Sequence, residues 1–491
     1  MMQDIRIYNT YSRSIEKLEP IKPPFIGLYL CGPTVYGLPH LGHVRGPVFF
    51  DILHRYLKYN GYKVRLVRNI TDVGHLVNDA DEGEDKIGKL ARIEQLEPME
   101  VAQFYTNKYH SMLNTLNLIP ASIEPRASGH IIEQIEMIET IIQNGFAYVA
   151  NGSVYFDVLK YSETHDYGKL SGRILEDLIA GAGNEARELE GQEEKRNSND
   201  FALWKKAGPE HIMQWNSPWS KGFPGWHIEC SAMSKKYLGD FFDIHGGGMD
   251  LLFPHHESEI AQSTACTSHN PAKYWMHHNM ITINGQKMAK SLNNGISVEA
   301  FFSGEHPLLE KAYSPMTLKF FILMAHYRGT LDFSNTALQA SEKGLARLLA
   351  ASETLKKINP TEAENGAIEG LINEGYVALN EDLNTPILIS KLFEMATIIN
   401  SVNGGTAMIS KVELDLLKEH FDPLIFDILG LKSEVNNSND KLDSVMQMLL
   451  NMRNEAKLNK NYALSDEIRN KLSTLGFEIK DGKEGTTYSI L

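Results

Sequence analysis

The sequence predicts an α/β fold: a Rossmann-type parallel-sheet domain carrying an insertion, then an all-α helix bundle, then a small C-terminal α+β segment. Three observations predict it. Phe25–Leu30 (FIGLYL) reads as a short apolar strand, and a Gly-Pro turn at Gly32 and Pro33 ends it. A helical pattern follows from Leu41 to Tyr59, apolar at Val48, Phe49, Ile52, Leu53 and Leu57, and Tyr62–Ile70 is rich in β-branched residues. Strand, helix and strand in this order make a βαβ unit, whose crossover implies a parallel sheet. The second observation is a nearly unbroken helical pattern over 342–431, with leucines at 345, 348, 349 and 355. The third is the polar break Ser433–Asp440 (SEVNNSND), which separates that bundle from a helical hairpin and a final strand pair.

The intervening elements follow from the same rules. Glu100–Asn144 reads as helical, and Tyr148–Leu159 as strand around an Asn-Gly turn. Glu185–Asp200 is charged and poor in apolar residues, as a surface loop would be. The sheet pattern resumes near Asp240 with FFDIHGGG, a strand running into glycines. The expected organisation is therefore 1–120 and 206–275 as two halves of the sheet domain, with 121–205 inserted between them. Residues 276–341 form a connecting region, 342–432 the bundle and 441–491 the terminal segment.

Composition narrows the class. The 491 residues are too many for one core, which favours several domains. MMQDIRIYNT has no apolar signal-peptide core, and no run approaches the roughly 18 apolar residues of a membrane helix. Three cysteines argue against a disulfide framework and for a reducing, cytoplasmic setting. A net charge of -14 argues against indiscriminate nucleic-acid binding, though not against a nucleic acid recognised in a local groove. Lys and Arg equal Asp and Glu in number over 440–491, so the tail is no polybasic arm.

Four stretches could carry chemistry. His40-Leu41-Gly42-His43 lies where a strand and turn meet a helix start; free amides and the helix dipole favour an anion there, and Gly42 permits close approach. Lys287-Met288-Ala289-Lys290-Ser291 follows ITINGQ, and its two lysines could clamp a polyphosphate. Taken alone, the histidine motif is more often a pair of solvated or packed histidines, and the lysine motif an ordinary solvated pair. Cys31, Cys230, His255 and Glu259 offer S, N and O donors of the kind zinc takes, the last two one helical turn apart. No pair has CxxC spacing, and inert buried cysteines are the alternative. His256-Glu257-x-Glu259 invites a zinc-hydrolase reading but lacks the second histidine of HExxH. Gly246–Asp250 (GGGMD), including Gly247, ends a strand where a nucleotide could approach the backbone.

HxGH after the first strand, with KMxKS some 250 residues later, is the signature of class I aminoacyl-tRNA synthetases. With CGPTVYGLPHLGH, NITDVGH, DFALWK, PGWHIECSAM, DIHGGGMDLLFPHHESEIAQS, KMAKS and EDLNTP, the chain resembles the cysteinyl-tRNA synthetases along essentially its whole length. That resemblance implies a cysteine-tRNA ligase, which activates L-cysteine with ATP and Mg²⁺ and transfers it to the 3′ end of tRNA(Cys). It implies one zinc ion per chain, held by Cys31, Cys230, His255 and Glu259. His40, His43, Lys287 and Lys290 would act on the ATP phosphates, with Gly42 and Gly247 in the nucleotide site. Thr71, Trp226 and His245 would line the cysteine pocket. The resemblance favours a monomer. Leu41 replaces the usual isoleucine, and Ala289 the usual serine, of the two signatures. Anticodon reading would fall to the bundle and tail, with Tyr462, Tyr488, Arg453, Lys457 and Arg469 as candidates for stacking on splayed bases. Two other readings compete: a cysteine ligase acting on an amino sugar, and a non-enzymatic zinc RNA-binding protein.

Overall fold

The computed structural model describes residues 4–73, 86–174, 194–209, 211–288, 294–361, 365–434, 437–482 and 485–490. The chain divides into two compact units, Met1–Lys432 and Ser433–Leu491.

The centre of the first unit is a four-stranded parallel sheet built from Phe25–Leu30, Lys63–Arg68, Phe242–Gly248 and Ala272–His278. Phe25–Leu30 pairs with Lys63–Arg68 on one side and Phe242–Gly248 on the other. Ala272–His278 then pairs with Phe242–Gly248. Strand order therefore reverses at Phe25–Leu30, and the crevice beyond the carboxyl ends of this strand and Phe242–Gly248 is where open α/β sheets bind ligands. The helix Gly42–Tyr59 covers one face with Val44, Val48, Ile52 and Leu53, none of which reaches solvent. Trp226–Leu238 and Glu257–Thr267 lie near the opposite face, where Cys230, Met233 and Ile260 pack with Tyr29, Val67 and Trp275.

Two strand ends are locked together by Gly32. Its amide donates to Asn69 Oδ1 at 2.8 Å, and a Cβ there would lie 1.6 Å from the Asn69 carbonyl oxygen. Gly32→Ala is therefore expected to cost more than about 4 kcal/mol, the range reserved for forced backbone shifts in a core. Denaturant titration checks it; a loss under about 1 kcal/mol would mean that the strand ends separate freely.

The inserted region differs in places from expectation. The helical stretch Glu100–Asn144 is two α-helices, Pro98–Thr115 and Ile131–Gln143, because Asn117 takes φ 54° and prolines at 120 and 125 cannot continue the first. The Asn-Gly turn does form a hairpin, Ala147–Ala150 with Ser153–Phe156, with positive φ at both Asn151 and Gly152. The second strand stops at Phe156, since the Asp157 side chain caps a short helix, Val158–Ser162. Antiparallel pairing extends this sheet through Phe201–Lys206 and Lys221–Pro224 to Trp215–Asn216. The boundary expected at 205 thus falls within a strand of that sheet. Most of the charged stretch Glu185–Asp200 lies outside the described residues.

Ile281–Ile283, Gln286–Lys287 and Leu331–Phe333 make a small three-stranded sheet. The bundle that follows contains Asn335–Leu355, Ile368–Asn380, Thr385–Asn403 and Lys411–Asp422. Its first helix begins before 342 because Ser334 caps it, accepting from the Ala337 amide. In the second unit, the helices Asn437–Leu458 and Tyr462–Thr474 precede an antiparallel pair, Phe477–Gly482 with Gly485–Ile490. The expected linker Ser433–Asp440 is shorter than predicted, its last four residues being helical.

Candidate active site

Cys31 is the first residue past the strand Phe25–Leu30, where the sheet order reverses. Cys230 lies one turn into Trp226–Leu238, which starts directly after the strand Lys221–Pro224 and Gly225. His255 sits in a wide turn, Leu252–His256, and Glu259 in the first turn of Glu257–Thr267. Their shared helical face was expected from i, i+4 spacing. The turn before the helix is irregular, yet His255 Nε2 still lies 3.2 Å from Glu259 Oε1.

The four donor atoms all fall within 4.8 Å of one another. Cys31 Sγ is 3.7 Å from Cys230 Sγ and 3.6 Å from Glu259 Oε1. A tetrahedral zinc ion, about 2.3 Å from sulfur and about 2.0 Å from nitrogen or oxygen, separates its ligand atoms by about 3.3–3.8 Å. The spacing of these residues fits such an ion. Burial, together with Cys230 beside it, pushes the Cys31 thiol well up, and burial also pushes up Cys230. A divalent cation offsets the cost of ionising two thiols in so dry a place.

A second constellation overlaps the first: Cys31, His245, His256 and Glu259. His245 Nε2 meets Glu259 Oε2 at 2.8 Å, the oxygen that does not face His255. His256 Nε2 is 3.3 Å from Cys31 Sγ, while its Nδ1 is 2.8 Å from His277 Nε2. Burial and the neighbouring histidines hold His256 well below the usual imidazole range, so it is neutral. These two histidines surround the donors of the first set, as outer partners of metal ligands do.

The remaining pocket residues expected from the sequence divide. Trp226 packs its ring 4.4 Å from the His255 ring, and His245 is fully buried and stacked on Trp275. Thr71 is one step removed: its hydroxyl donates to Glu229 Oε2 at 2.9 Å and accepts from Asn69 Nδ2. Sequence reading missed Asn69, Glu229 and His277, which matter through contacts distant in sequence, and it weighed His256 only as part of an incomplete HExxH pattern.

Of the phosphate-type residues, His40 and His43 stand at the start of the helix that follows the switch-point strand. His40 and His43 stack with centroids 3.8 Å apart at the start of Gly42–Tyr59. The Gly42 amide donates to His40 Nδ1 at 3.1 Å, and a Cβ on Gly42 would press on that ring. No side chain caps this helix and its first turn holds no acid, so its positive end is not neutralised from within. Lys287 ends the strand Gln286–Lys287; Lys290 lies outside the described residues. The segment after the lysine motif returns to the histidine motif: Leu41 donates to Ile296 O at 3.1 Å, and Val298 to Pro39 O at 2.9 Å. Gly247 lies in Phe242–Gly248, where a Cβ would sit 2.5 Å from the His256 ring.

Residues 17–343 match the family described as tRNA synthetases class I (C) catalytic domain, and residues 376–433 the DALR domain. The cysteine–tRNA ligase of Bacteroides thetaiotaomicron is 59% identical, and that of Bacteroides fragilis 58%, each alignment covering 100% of both chains. This chain belongs to the cysteine–tRNA ligase family. The ligase of Chlorobaculum tepidum, 45% identical over 99% of each chain, is a more distant member. Among solved structures, Mycobacterium tuberculosis methionyl-tRNA synthetase with methionyl-adenylate has TM-score 0.55 at 11% identity, covering 82% of this chain and 89% of that one. A leucyl-tRNA synthetase complex from Agrobacterium radiobacter has TM-score 0.57 at 12% identity, covering 85% and 87%. Both show the shared class I fold. Full-length likeness to cysteine–tRNA ligases sets aside the amino-sugar ligase and the non-enzymatic RNA-binding module. No helix among the described residues is long and apolar enough to cross a membrane.

In the second unit, two of the base-stacking candidates change standing. Arg453 is only 2% exposed, which leaves its guanidinium little surface on which a base could stack. Tyr488 lies against Phe477. Tyr462 is 62% exposed.

Proposed function

We propose that this cysteine–tRNA ligase selects its amino acid by the sulfur atom, at a zinc ion held by Cys31, Cys230, His255 and Glu259. One observation carries the reading: the buried Cys230 thiol, the half-buried Cys31 thiol, an imidazole and a carboxylate converge within 4.8 Å beside the switch-point strand. Bound there, zinc supplies a soft acceptor that favours a thiolate over a hydroxyl. An apolar pocket alone would separate cysteine from serine by only about 1–3 kcal/mol. With selection made at the sulfur, the inserted region has no editing task.

The chain's own residues account for the rest of the first step. The cysteine carboxylate attacks the α-phosphorus of ATP, and the bond to pyrophosphate breaks as cysteinyl-adenylate forms. Trp226 and His245 bound the amino-acid pocket, and Thr71 is fixed against Glu229 at its edge. His40 and His43 donate to phosphate oxygens at an uncapped helix start. Lys287 and Lys290 offset charge on the departing pyrophosphate, with Mg²⁺ accompanying the ATP. Gly42 and Gly247 belong to the nucleotide site through the rings they admit, His40 at the helix start and His256 at the strand end. A 3′-terminal hydroxyl of tRNA(Cys) then attacks the carbonyl carbon of the cysteinyl-adenylate, the ester to tRNA forms as the acyl-phosphate bond breaks, and AMP leaves, with the bundle and C-terminal unit engaging the tRNA. We place the enzyme in the cytoplasm as a monomer, in keeping with three free cysteines.

Zinc removal tests the central claim. Chelator-stripped protein should bind cysteine at least about ten-fold more weakly, with serine affinity unchanged, and regain cysteine affinity on adding Zn²⁺. Isothermal titration with an unreactive ATP analogue present reads this directly. Equal cysteine affinity with and without zinc would sink the proposal.

A further inference from the structure

The turn His326–Gly329 (HYRG) joins the helix Pro315–Leu323 to the strand Leu331–Phe333, and two buried side chains hold it, one by its backbone carbonyls and one by its side chains. The first is Arg45, two residues past HLGH and 1% exposed. Its guanidinium meets no carboxylate in the contacts described. It donates instead to the carbonyls of Met280 and Gly329, to His326 O at 3.2 Å and to Tyr327 O at 3.5 Å. Burying a cation against carbonyls alone is costly, since desolvation is met only by dipoles. Such a residue holds backbone in place; a lysine, with a single ammonium, could not span four carbonyls.

The second is Asp382, 2% exposed, in the EDLNTP turn between the bundle helices Ile368–Asn380 and Thr385–Asn403. It takes φ 60° and Leu383 takes φ 53°, an uncommon pair for non-glycine residues. Asp382 Oδ1 accepts from Tyr327 OH at 2.5 Å and from the Tyr8 amide at 2.8 Å; Oδ2 accepts from Arg328 Nε at 2.7 Å. Its carbonyl faces His326 Nε2 at 3.1 Å. Strain in the turn places this carboxylate on HYRG.

What the turn holds is the root of the lysine motif. Leu331 donates to Met280 O, the carbonyl that Arg45 also binds. Leu331–Phe333 pairs with Ile281–Ile283, and that strand pairs with Gln286–Lys287, so Lys287 stands two strands from the gripped turn. The far side of the motif is fixed by backbone bonds from Leu41 to Ile296 and from Val298 to Pro39. Phe49, from the same helix as Arg45, stacks on Tyr327 at 3.9 Å. The histidine and lysine motifs are thus braced on both flanks, and Arg45 and Asp382 share one of those braces.

We propose that Arg45 and Asp382 are positioning residues for adenylate formation, acting together through the His326–Gly329 turn to set the lysine hairpin against the HLGH helix. This rests on the reading of HLGH and KMAKS as two halves of one ATP clamp. The bundle, through Asp382, thereby bears on the phosphate site without touching substrate.

Cysteine-dependent ATP–pyrophosphate exchange on the full-length zinc enzyme tests this, with Arg45→Lys, Asp382→Asn and the double variant. Each single variant should raise KM for ATP about five- to ten-fold, with KM for cysteine within about two-fold of the parent. The double variant should lose no more than about two-fold beyond the worse single one, because both act through one turn. Multiplicative losses would overturn the shared turn, and equal losses for ATP and cysteine would overturn positioning in favour of general damage. Tyr327→Phe removes only the hydroxyl that reaches Asp382 and keeps the fold testable if Arg45→Lys is poorly folded; it should raise KM for ATP about two-fold, and no change would count against the proposal. A Lys290→Ala enzyme with normal ATP kinetics would instead refute the clamp reading itself.

Discussion

Cys230→Ser is expected to lower cysteine-dependent pyrophosphate exchange by more than about 100-fold, with zinc content falling well below one ion per chain. The magnitude follows from the ligand it removes: altering only an outer partner of a metal ligand costs about 10–100-fold in affinity. Serine keeps the volume within one atom but offers an alcohol where a thiolate is needed. Cys230 is 1% exposed and its sulfur is 3.7 Å from both Cys31 Sγ and Asn69 Oδ1, so no water replaces it easily. Zinc quantification and cysteine titration on one sample check the result. Full zinc occupancy with parental cysteine affinity would show that this sulfur is not a ligand, and would direct attention to His245 and His256 around Cys31 and Glu259.

Lys290→Ala should reduce exchange by about 10²–10³-fold while cysteine affinity stays within about two-fold. Removing one preorganised donor to developing charge costs this much in other enzymes. The separation follows from topology. The thiol cluster lies beside Phe25–Leu30 and Phe242–Gly248, whereas the lysine motif extends from the strand pair Ile281–Ile283 and Gln286–Lys287. Loss of charge at one should leave the other standing. Stopped-flow adenylate formation with a parallel cysteine titration distinguishes the outcomes, and a matched fall in both would mark a folding defect.

Much of the molecule was legible in the sequence because the signals are local. FIGLYL, the apolar face of Gly42–Tyr59 and YKVRLVRNI each show their period within one element, and the βαβ unit follows. Asn151-Gly152 announces its hairpin through two positive φ angles. What misled were places where one residue overrides a period: Asn117 breaking a helix, and Asp157 capping a helix where strand was expected. The sheet of the insertion ran past 205 because antiparallel partners need not be adjacent in sequence, and Lys221–Pro224 gives no sign of pairing with Phe201–Lys206.

The site divides in the same way. By itself the sequence determined which donors exist: two of three cysteines, a PHHE run, and histidine and lysine motifs of opposite ends. It also determined the family, since those motifs occur together. Only the tertiary structure decided which donors meet. Cys31 and Cys230 are 199 residues apart, and packing of the helix Trp226–Leu238 against the sheet at Phe25–Leu30 brings their sulfurs to 3.7 Å. It alone revealed that Arg45, unremarkable within HVRG, is buried against four carbonyls, and that Asp382 reaches the same turn from the bundle. The physical reason is range. Periodicity and capping act within a few residues and are written along the chain, whereas donor distances, desolvation and shared carbonyls depend on segments brought together by the sheet.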